Sequence, residues 1–277
     1  MNRLAEVETG SVDRAADDLP RKRSARLYHY FFLYVRHYLS KRLHAVRIAR
    51  EDSIPVIPPG PLVVVLNHPS WWDPLIGFMI ADLIPDREHY APIDSHALTK
   101  YRFFERLGFF GVEPRSIRGT RAFLRISESI FAPGRPESAI WITAQGTFVD
   151  PRARPVTIRP GVSRLASRLD RGTILPLALE LTFWNERSPE ALARFGKPIS
   201  IVPGISADEY QHTIEAELEA ALDSLARDSI SRDPARFKIL LKGRSGVGGI
   251  YDIWRRLKAW IALERFRPEH GSEIGES

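Results

Sequence analysis

Short apolar runs alternate with helical patterns along most of the chain, and this alternation restricts the fold more than any other feature. Four runs rich in apolar and β-branched residues end at proline, glycine or polar residues, as strands do, and they cover residues 61–66, 138–143, 173–181 and 197–204. Apolar residues at helical spacing occupy four further segments, 72–84, 119–131, 161–169 and 208–230. The alternation predicts an α/β fold with a mostly buried mixed sheet flanked by helices.

The composition is that of a single globular domain. Apolar residues make up 44% of the 277 positions and charged residues 27%, a balance that supports one large buried core. We place this domain at residues 51–240. The chain has no cysteine, which excludes disulfides, thiolate metal sites and cysteine nucleophiles.

The net charge of +6 is concentrated near the N-terminus. Residues 1–20 hold two basic and five acidic side chains, and we expect them to form a flexible acidic tail. Residues 21–50 hold nine basic side chains and no acidic one, so the rest of the chain is neutral overall. A charge asymmetry of this kind indicates an anionic partner for one segment.

The segment 21–50 has the pattern of a basic, aromatic, amphipathic helix. Leu27, Phe31 and Tyr34 recur at helical spacing, and charged residues interrupt the apolar stretch well before the roughly 20 residues that a bilayer span needs. Aromatic rings beside cations are typical of the bilayer interface, so we expect contact with an anionic membrane surface. The alternative is a basic surface helix packed on its own domain. Nucleic acid is not expected as a partner, because the apolar residues would then stay unburied.

The C-terminal segment 241–277 repeats this pattern. Ile250, Trp254 and Leu257 lie on one apolar stripe, and Arg255 lies off it. We predict an amphipathic C-terminal helix and tail that either dock on the core or contact the membrane. The two basic segments together predict a peripheral or monotopic membrane protein at the cytoplasmic face.

A histidine and an aspartate follow the first predicted strand. The run PLVVVL continues into NHPSWWD, which places His68 and Asp73 in the turn before a predicted helix. In such a turn the carboxylate can fold back on the imidazole, fix its tautomer and leave the second ring nitrogen as a general base. The alternative is a purely structural pair. A second pair at the same spacing, His89 and Asp94, lies in a predicted loop, and we interpret it as fortuitous.

Four blocks of sequence occur in order between about residues 60 and 205. The first is Asn67-His68, four residues, then Asp73, after a short apolar strand. The others are LGFFGVEPRS at 107–116, AQGTF at 144–148 followed by IRPGVSRLA at 158–166, and ILPLALE at 174–180. In this order the blocks resemble the signatures of the glycerolipid acyltransferases, the lysophosphatidic acid acyltransferase-like family.

The resemblance implies transfer of a fatty acyl chain from a thioester donor, acyl-CoA or acyl carrier protein, to a hydroxyl of a lipid acceptor, without a metal or another cofactor. His68 would accept the hydroxyl proton and Asp73 would orient His68, while backbone donors near Gly146 would stabilise the oxyanion. The implied substrate-binding residues, with two arginines of the same loop, are Asn67, Arg115, Gln145, Gly146, Thr147, Arg152 and Arg154.

Two residues depart from the family pattern. The third block usually reads Pro-Glu-Gly-Thr-Arg, whereas this chain has Gln145 and Phe148 at the glutamate and arginine positions. Phenylalanine cannot bind a phosphate, so the acceptor is either a lysophospholipid held by Arg152 and Arg154 or another lipid alcohol. Those two arginines are alternatively solvated loop residues. A catalytically silent lipid-binding protein is the alternative function, and the intact His68 and Asp73 favour the enzyme.

Overall fold

The computed structural model describes residues 22–50 and 55–245 of the chain. The predicted acidic tail, residues 1–20, lies outside the described residues, and so does the predicted C-terminal helix from residue 246 onward. Within the described ranges, no helix combines the length and the apolar character needed to cross a membrane.

Nine strands lie in these ranges and form one sheet. They are β1 (Ala45–Ala49), β2 (Leu62–Leu66), β3 (Glu88–Asp94), β4 (Phe109–Val112), β5 (Ser138–Thr143), β6 (Gly172–Thr182), β7 (Glu190–Phe195), β8 (Ile199–Ile201) and β9 (Phe237–Lys242). Strands β4, β3, β5, β2 and β6 are neighbours in that order and run parallel. Strand β7 then joins β6 antiparallel, β1 and β9 complete that edge, and β8 pairs with the first residues of β6. The sheet is therefore mixed, as predicted.

Six α-helices connect or follow these strands in the same ranges. They are α1 (Ala25–Ser40), α2 (Asp73–Ala81), α3 (Ser95–Lys100), α4 (Ile117–Ile130), α5 (Gly161–Ala166) and α6 (Ala207–Ser231), with two short 3-10 helices at Arg102–Leu107 and Pro234–Arg236. Serine side chains cap three of them, because Ser24, Ser116 and Ser206 each accept a hydrogen bond from a backbone N–H of the first turn. These starts are therefore determined locally by the sequence.

The central strands are buried on both faces. Val63 and Ile140 belong to a core that α4, α5 and α6 cover, whereas their neighbours Val64 and Trp141 belong to a second core covered by α1 and α2. Successive residues of a strand point to opposite faces, so continuous apolar runs are what a sheet between two helical layers requires. The prediction of a single α/β domain with a mostly buried sheet is confirmed.

The elements predicted between residues 51 and 240 all occur, although some are shorter than expected and several strands were missed. The predicted strand 197–204 is reduced to the three residues of β8, because the proline and glycine around it restrict pairing to the start of β6. Strands β1, β3, β7 and β9 were not predicted. They contain charged residues or prolines, which hide the apolar period on which the prediction depends. Strand β4 lies within the second of the four sequence blocks, residues 107–116.

The predicted membrane-interface segment 21–50 divides into two elements of different kinds. Helix α1 ends at Ser40, and β1 then lies inside the sheet, parallel to β7 and antiparallel to β9. The domain therefore begins before residue 51 and extends past residue 240, which corrects both predicted boundaries. The last part of the basic segment belongs to the core and cannot contact a membrane.

A buried ion cluster explains how β1 can carry an arginine. The Arg47 Nε lies 2.8 Å from Glu190 Oε2, and the His44 Nδ1 lies 2.5 Å from Glu190 Oε1. Burial by itself would raise the pKa of Glu190, but the hydrogen bonds with His44 and Arg47 hold that pKa below its usual value. The cluster joins β1 to β7 and compensates the charge of Arg47, which is only 5% exposed.

His89 is buried in the sheet and bonds to Ile84 and Trp141 instead of Asp94, in agreement with the interpretation of this spacing as fortuitous. His89 and Asp94 both lie on β3 and not in a loop. Trp141 Nε1 donates to His89 Nδ1 over 3.1 Å, so Nε2 carries the proton and donates to Ile84 O over 3.1 Å. Burial, followed by the positive charge of Arg23, lowers the pKa of His89 from its usual 6.5 to about 4.

Because the pKa of His89 is lowered in the folded protein, the free energy of unfolding should depend on pH. The unfolded chain takes up a proton at this histidine below about pH 6.5, whereas the folded protein resists it down to about pH 4. The free energy of unfolding should therefore fall as the pH drops through this window, by about 3 kcal/mol in total from this residue. In urea unfolding, the stability advantage of the wild type over His89→Gln should shrink by about that amount between pH 7 and pH 4. An advantage that stays constant with pH would contradict the prediction.

Candidate active site

The turn between β2 and α2 brings a histidine and an aspartate into contact. The His68 Nδ1 lies 2.7 Å from Asp73 Oδ2. Asp73 is completely buried, whereas the side chain of His68 is 19% exposed. A carboxylate can only accept, so His68 Nδ1 carries the proton and Nε2 keeps its lone pair. This is the arrangement of a general base with its orienting carboxylate.

Ser70 holds the aspartate in place. Its backbone N–H donates to Asp73 Oδ2 over 3.0 Å, and its hydroxyl donates to Asp73 Oδ1 over 2.9 Å. With His68, these bonds satisfy both oxygens of a carboxylate that water does not reach. The sequence analysis did not single out Ser70. The sequence pattern that could have identified Ser70 is a serine three residues before an acidic residue at the start of a helix.

Asn67 differs from its predicted role in substrate binding. It is completely buried, its side-chain nitrogen donates to Leu179 O over 2.9 Å, and its side-chain oxygen accepts from Leu179 N over 2.7 Å. The amide thus continues the ladder between β2 and β6 by one further step. Asn67 fixes the strand end from which His68 emerges.

Two residues of the loop after β5 bind the backbone of His68, one at its N–H and the other at its carbonyl oxygen. The His68 N–H donates to Gln145 Oε1 over 2.9 Å, and the Val149 N–H donates to His68 O over 3.0 Å. An amide oxygen accepts this hydrogen bond as a carboxylate would, which explains why glutamine functions at this position. Gln145 is therefore a positioning residue for His68.

Phe148 follows in the same loop and lies over the histidine. Its ring centroid is 4.5 Å from that of His68, with 46° between the planes, and its side chain is exposed. The ring occupies space beside the imidazole that an arginine would otherwise fill. Thr147 is also exposed, and it does not line the cleft described next.

The expected oxyanion donor at Gly146 is not free. The Gly146 N–H donates to Thr143 O over 3.2 Å within the turn. The φ of Gly146 is +65°, in the left-handed region that glycine adopts without strain. Gly146 thus shapes the turn, and the side chain of Arg159 lies in the space that a Cβ at residue 146 would occupy.

A cleft of about 730 Å³ opens beside His68. Gly146 and Arg115, two of the expected substrate-binding residues, line it, and two further arginines, Arg159 and Arg164, line it as well. The sequence analysis placed both in its basic block at 158–166 but did not select them. The backbone of Arg115 has a φ of +59°, which is unusual for a residue with a side chain.

Arg152 and Arg154 do not line this cleft. Arg152 is 80% exposed and forms two hydrogen bonds with Asp150, at 2.9 and 2.8 Å. Arg154 pairs with Asp223 of α6 and donates to Pro151 O over 2.9 Å. Arg152 is thus a solvated loop residue, and Arg154 helps to attach the loop to α6.

An apolar pocket of about 100 Å³ adjoins the cleft on the side of α2. It is lined mainly by aromatic and aliphatic side chains and by Gly77, with Tyr28 of α1 as part of its wall. The pocket and the cleft share Pro74, Pro92 and Thr143, and Asp73 belongs to the wall of the pocket. The cleft that contains the histidine therefore lies next to an apolar cavity. No cluster of three or more metal-ligating side chains lies in the described part of the chain.

Comparison with known proteins gives a distant structural similarity. No protein-family model matches the chain, and no curated protein sequence matches it. Among solved structures, it is similar to the crystal structure of the 1-acyl-sn-glycerophosphate (LPA) acyltransferase PlsC from Thermotoga maritima. The two chains are 14% identical, the match covers 82% of this chain and 84% of that one, and the TM-score is 0.47.

Proposed function

We propose that the protein is an O-acyltransferase that moves a fatty acyl chain from a thioester donor to a hydroxyl of a lipid acceptor. The observation that carries this proposal is the hydrogen-bonded pair of His68 and Asp73, in which His68 lines the cleft and Asp73 lines the adjoining apolar pocket. The four ordered sequence blocks, which resemble those of glycerolipid acyltransferases, support the same chemistry.

The geometry supports a direct transfer without a covalent enzyme intermediate. His68 Nε2 removes the proton of the acceptor hydroxyl as its oxygen attacks the thioester carbonyl. The buried carboxylate of Asp73 stabilises the imidazolium that forms. The tetrahedral intermediate then collapses, its carbon–sulfur bond breaks, and the departing sulfur takes the proton from His68. The histidine is thereby returned to its starting state.

The two adjoining cavities suit the two halves of a lipid substrate. An acyl chain gains free energy when its methylene groups leave water, about 0.8 kcal/mol for each one buried. The apolar pocket offers such an environment next to Asp73, and the thioester would then lie at the mouth that both cavities share. A silent lipid-binding protein would use the same pocket without needing a general base, so catalysis distinguishes the two functions.

Replacement of the general base tests the reaction. Incubation of His68→Ala with radiolabelled palmitoyl-CoA and a mixture of lysophospholipids and monoacylglycerols should give acylated product at least about 100-fold more slowly than the wild type. The matched control is His96→Ala, because His96 is exposed and lines neither cavity. If His68→Ala retains activity within a few-fold while its melting curve is unchanged, His68 is not the base. A wild type without any transfer favours the lipid-binding alternative.

Gly77 offers a test of the pocket as the acyl site. A Cβ at this position would meet no atom within 4 Å, so a larger side chain can enter the pocket without displacing the protein. Gly77→Leu should lower kcat/KM for palmitoyl-CoA by about tenfold or more and change that for octanoyl-CoA less, because the leucine fills apolar space that a longer chain needs more. Gly77→Ala is the control and should keep the wild-type preference. Equal losses for both chain lengths in Gly77→Leu would place the chain elsewhere.

We further propose that an exposed aromatic surface attaches the protein to a membrane. The aromatic surface comprises Tyr30, Leu33 and Tyr34 of α1 with Tyr101 and Phe103, all of them exposed. Phe31 connects the two parts, because its ring lies 5.9 Å from that of Tyr34 and 6.2 Å from that of Phe103. Exposed apolar and aromatic side chains that form one surface are suited to the bilayer interface.

Fewer cations face this surface than the charge of the segment suggests. Arg47 is buried against Glu190, and Arg23 bonds to Glu88 over 3.3 Å. Arg42 lies over the ring of Tyr38 and Lys100 lies over that of Tyr101, so these two accompany the aromatic side chains. The electrostatic part of membrane binding therefore rests on a few cations, each contributing roughly 1 kcal/mol at an anionic surface.

Substitution of the aromatic surface should weaken membrane binding. The triple variant Tyr30→Ser, Leu33→Ser and Tyr34→Ser should bind vesicles with one quarter phosphatidylserine at least about tenfold more weakly, because burial of an apolar side chain contributes about 1.5–3 kcal/mol. The loss should persist at high salt, which screens only the cations. Ile230→Ser, at an 80% exposed position of α6, is the control. Unchanged flotation of the triple variant would identify α1 as a surface helix of the domain.

A further inference from the structure

We propose that an arginine surface on α4 binds an acidic acyl carrier protein, which delivers its acyl thioester to the cleft beside His68. The arginine surface consists of Arg118, Arg121, Arg125 and Arg168, and all four residues are exposed. None of them lines the cleft, so the surface lies outside it. This inference rests on the proposed function, because it selects between the two thioester donors that the sequence leaves open.

Three of these arginines lie on one side of α4. Residues 118, 121 and 125 are three and four positions apart, so their side chains project within about 60° of one another around the helix axis. Arg168, which follows α5, joins them through an ion pair with Glu128 of α4 over 3.0 Å. Glu128 is the one acidic residue in the sequence of α4, so the helix presents a positive side to solvent.

The arginines begin at the end of α4 where local helix energetics favour acidic side chains. The N-terminal end of a helix carries a partial positive charge, which stabilises carboxylates and destabilises cations. Arg118 and Arg121 lie in the first two turns, and the first turn contains no acidic residue. A sequence that places cations here gives up local helix stability, which indicates a requirement from outside the helix.

This concentration of cations is local. Residues 51–277 hold equal numbers of basic and acidic side chains. The segments 115–130 and 159–168 nevertheless hold seven arginines and one glutamate, and they contain α4 and α5, which pack against each other. The three arginines that do not belong to the arginine surface line the cleft. Positive charge therefore extends from the cleft onto the outer side of α4, as attraction of an acidic partner requires.

The arginine surface begins at the mouth of the cleft. Ile117, the first residue of α4, lines the cleft and is 76% exposed, and Arg118 follows it directly. Arg125 lies about 10 Å further along the helix than Arg118, from a rise of 1.5 Å per residue. A carrier protein that binds these arginines is therefore placed next to the cleft, which its flexible prosthetic arm has to enter with the thioester.

The first turn of α4 is held firmly in this position. Ser116 Oγ accepts from the Gly119 N–H over 2.8 Å and caps the helix. A Cβ at Gly119 would overlap the carbonyl oxygen of Glu113, so the helix packs directly on the backbone that follows β4. The position of the arginines relative to the cleft is thus fixed before a partner binds, which lowers the entropic cost of binding.

An acidic protein fits the arginine surface better than a membrane does. Helix α1, which carries most of the aromatic surface, covers one face of the sheet, whereas α4 covers the other. Helices that lie in the bilayer interface bury apolar side chains beside their cations. Across Ile117–Ile130, Ile117 is the one large apolar side chain that is exposed. A surface of cations with little apolar area binds through charge, and acyl carrier proteins are acidic.

Equilibrium binding tests the arginine surface without requiring turnover. Fluorescein-labelled holo-acyl carrier protein, without an acyl chain, should bind the full-length wild type at low salt and more weakly as salt rises. The double variant Arg121→Glu and Arg125→Glu should bind at least about tenfold more weakly, because two attractions become repulsions. Arg121→Lys with Arg125→Lys should keep most of the binding, since it keeps the charge. A wild type that does not bind the carrier protein overturns the proposal.

The matched control reverses two exposed cations elsewhere. Arg227→Glu on α6 and Lys238→Glu on β9, at the opposite edge of the sheet from β4, change the net charge by the same amount. This control should bind the carrier protein like the wild type, and equal weakening would overturn the surface. Vesicles with one quarter phosphatidylserine are the second probe. If the double variant of α4 loses vesicle binding and keeps carrier binding, the arginines contact the membrane and the proposal is wrong.

Kinetics separates the arginine surface from the proposed reaction. With palmitoyl-acyl carrier protein as donor, the double variant of α4 should raise KM about tenfold and leave kcat unchanged, because binding of the carrier precedes the chemical step. The KM for palmitoyl-CoA should change less than about twofold, because coenzyme A reaches the cleft without a bound protein. Equal changes for both donors would overturn the surface. Carrier binding that depends on Arg121 and Arg125, in a protein that transfers no acyl chain from either donor, would refute the reaction and leave the surface intact.

Discussion

The structure depends on the burial of β2 between two parallel neighbours. All five of its residues are buried, and it pairs with β5 on one side and with β6 on the other. The chain leaves the buried sheet at the carboxyl end of such a strand. Ligands of open α/β sheets bind at this edge of the sheet. The side chains that follow β2 are therefore the first polar groups that the central sheet can present to a substrate. Asn67 closes the ladder and His68 is the first residue beyond it.

The carboxylate of Asp73 binds His68 at this edge of the sheet and orients it for the proposed reaction. A buried charge is costly unless every oxygen has a partner, and here Ser70 and His68 provide the partners. The hydrogen bonds that compensate the buried charge of Asp73 include the one that holds the imidazole of His68 in one tautomer. Local folding and the orientation of the proposed base are thus a single set of interactions. The loop at 144–160 adds a second set, since Gln145 and Val149 hold the backbone of His68.

The two faces of the sheet contribute different surroundings to the pair of His68 and Asp73. The helices α1 and α2 cover the face that contains the apolar pocket, and Tyr28 makes α1 part of its wall. Because α1 also carries most of the exposed aromatic surface, attachment to a membrane would bring the pocket close to the lipid phase. On the other face, α6 binds the loop 144–160 through Glu215 and Glu219, which accept from backbone N–H groups at 2.9 and 2.8 Å. The exposed aromatic side chains of α1 and the support of this loop therefore lie on opposite faces of the sheet.

The sequence by itself determined the central strands, the helix starts and the turn that carries His68 and Asp73, because each depends on neighbours a few residues away. Apolar runs fix which strands are buried on both faces, and a serine cap fixes where a helix begins. Only the tertiary structure showed that β1 belongs to the sheet, since its arginine is compensated by Glu190, which lies far along the chain. It also selected Arg159 over Arg152 and Arg154 for the cleft. The three arginines lie in the same loop and look equivalent in sequence. In the folded chain, Arg152 pairs with Asp150, Arg154 pairs with Asp223 of α6, and Arg159 lies against Gly146. Contacts between residues distant in sequence carry no local pattern, which is the physical reason that only the folded chain reveals them.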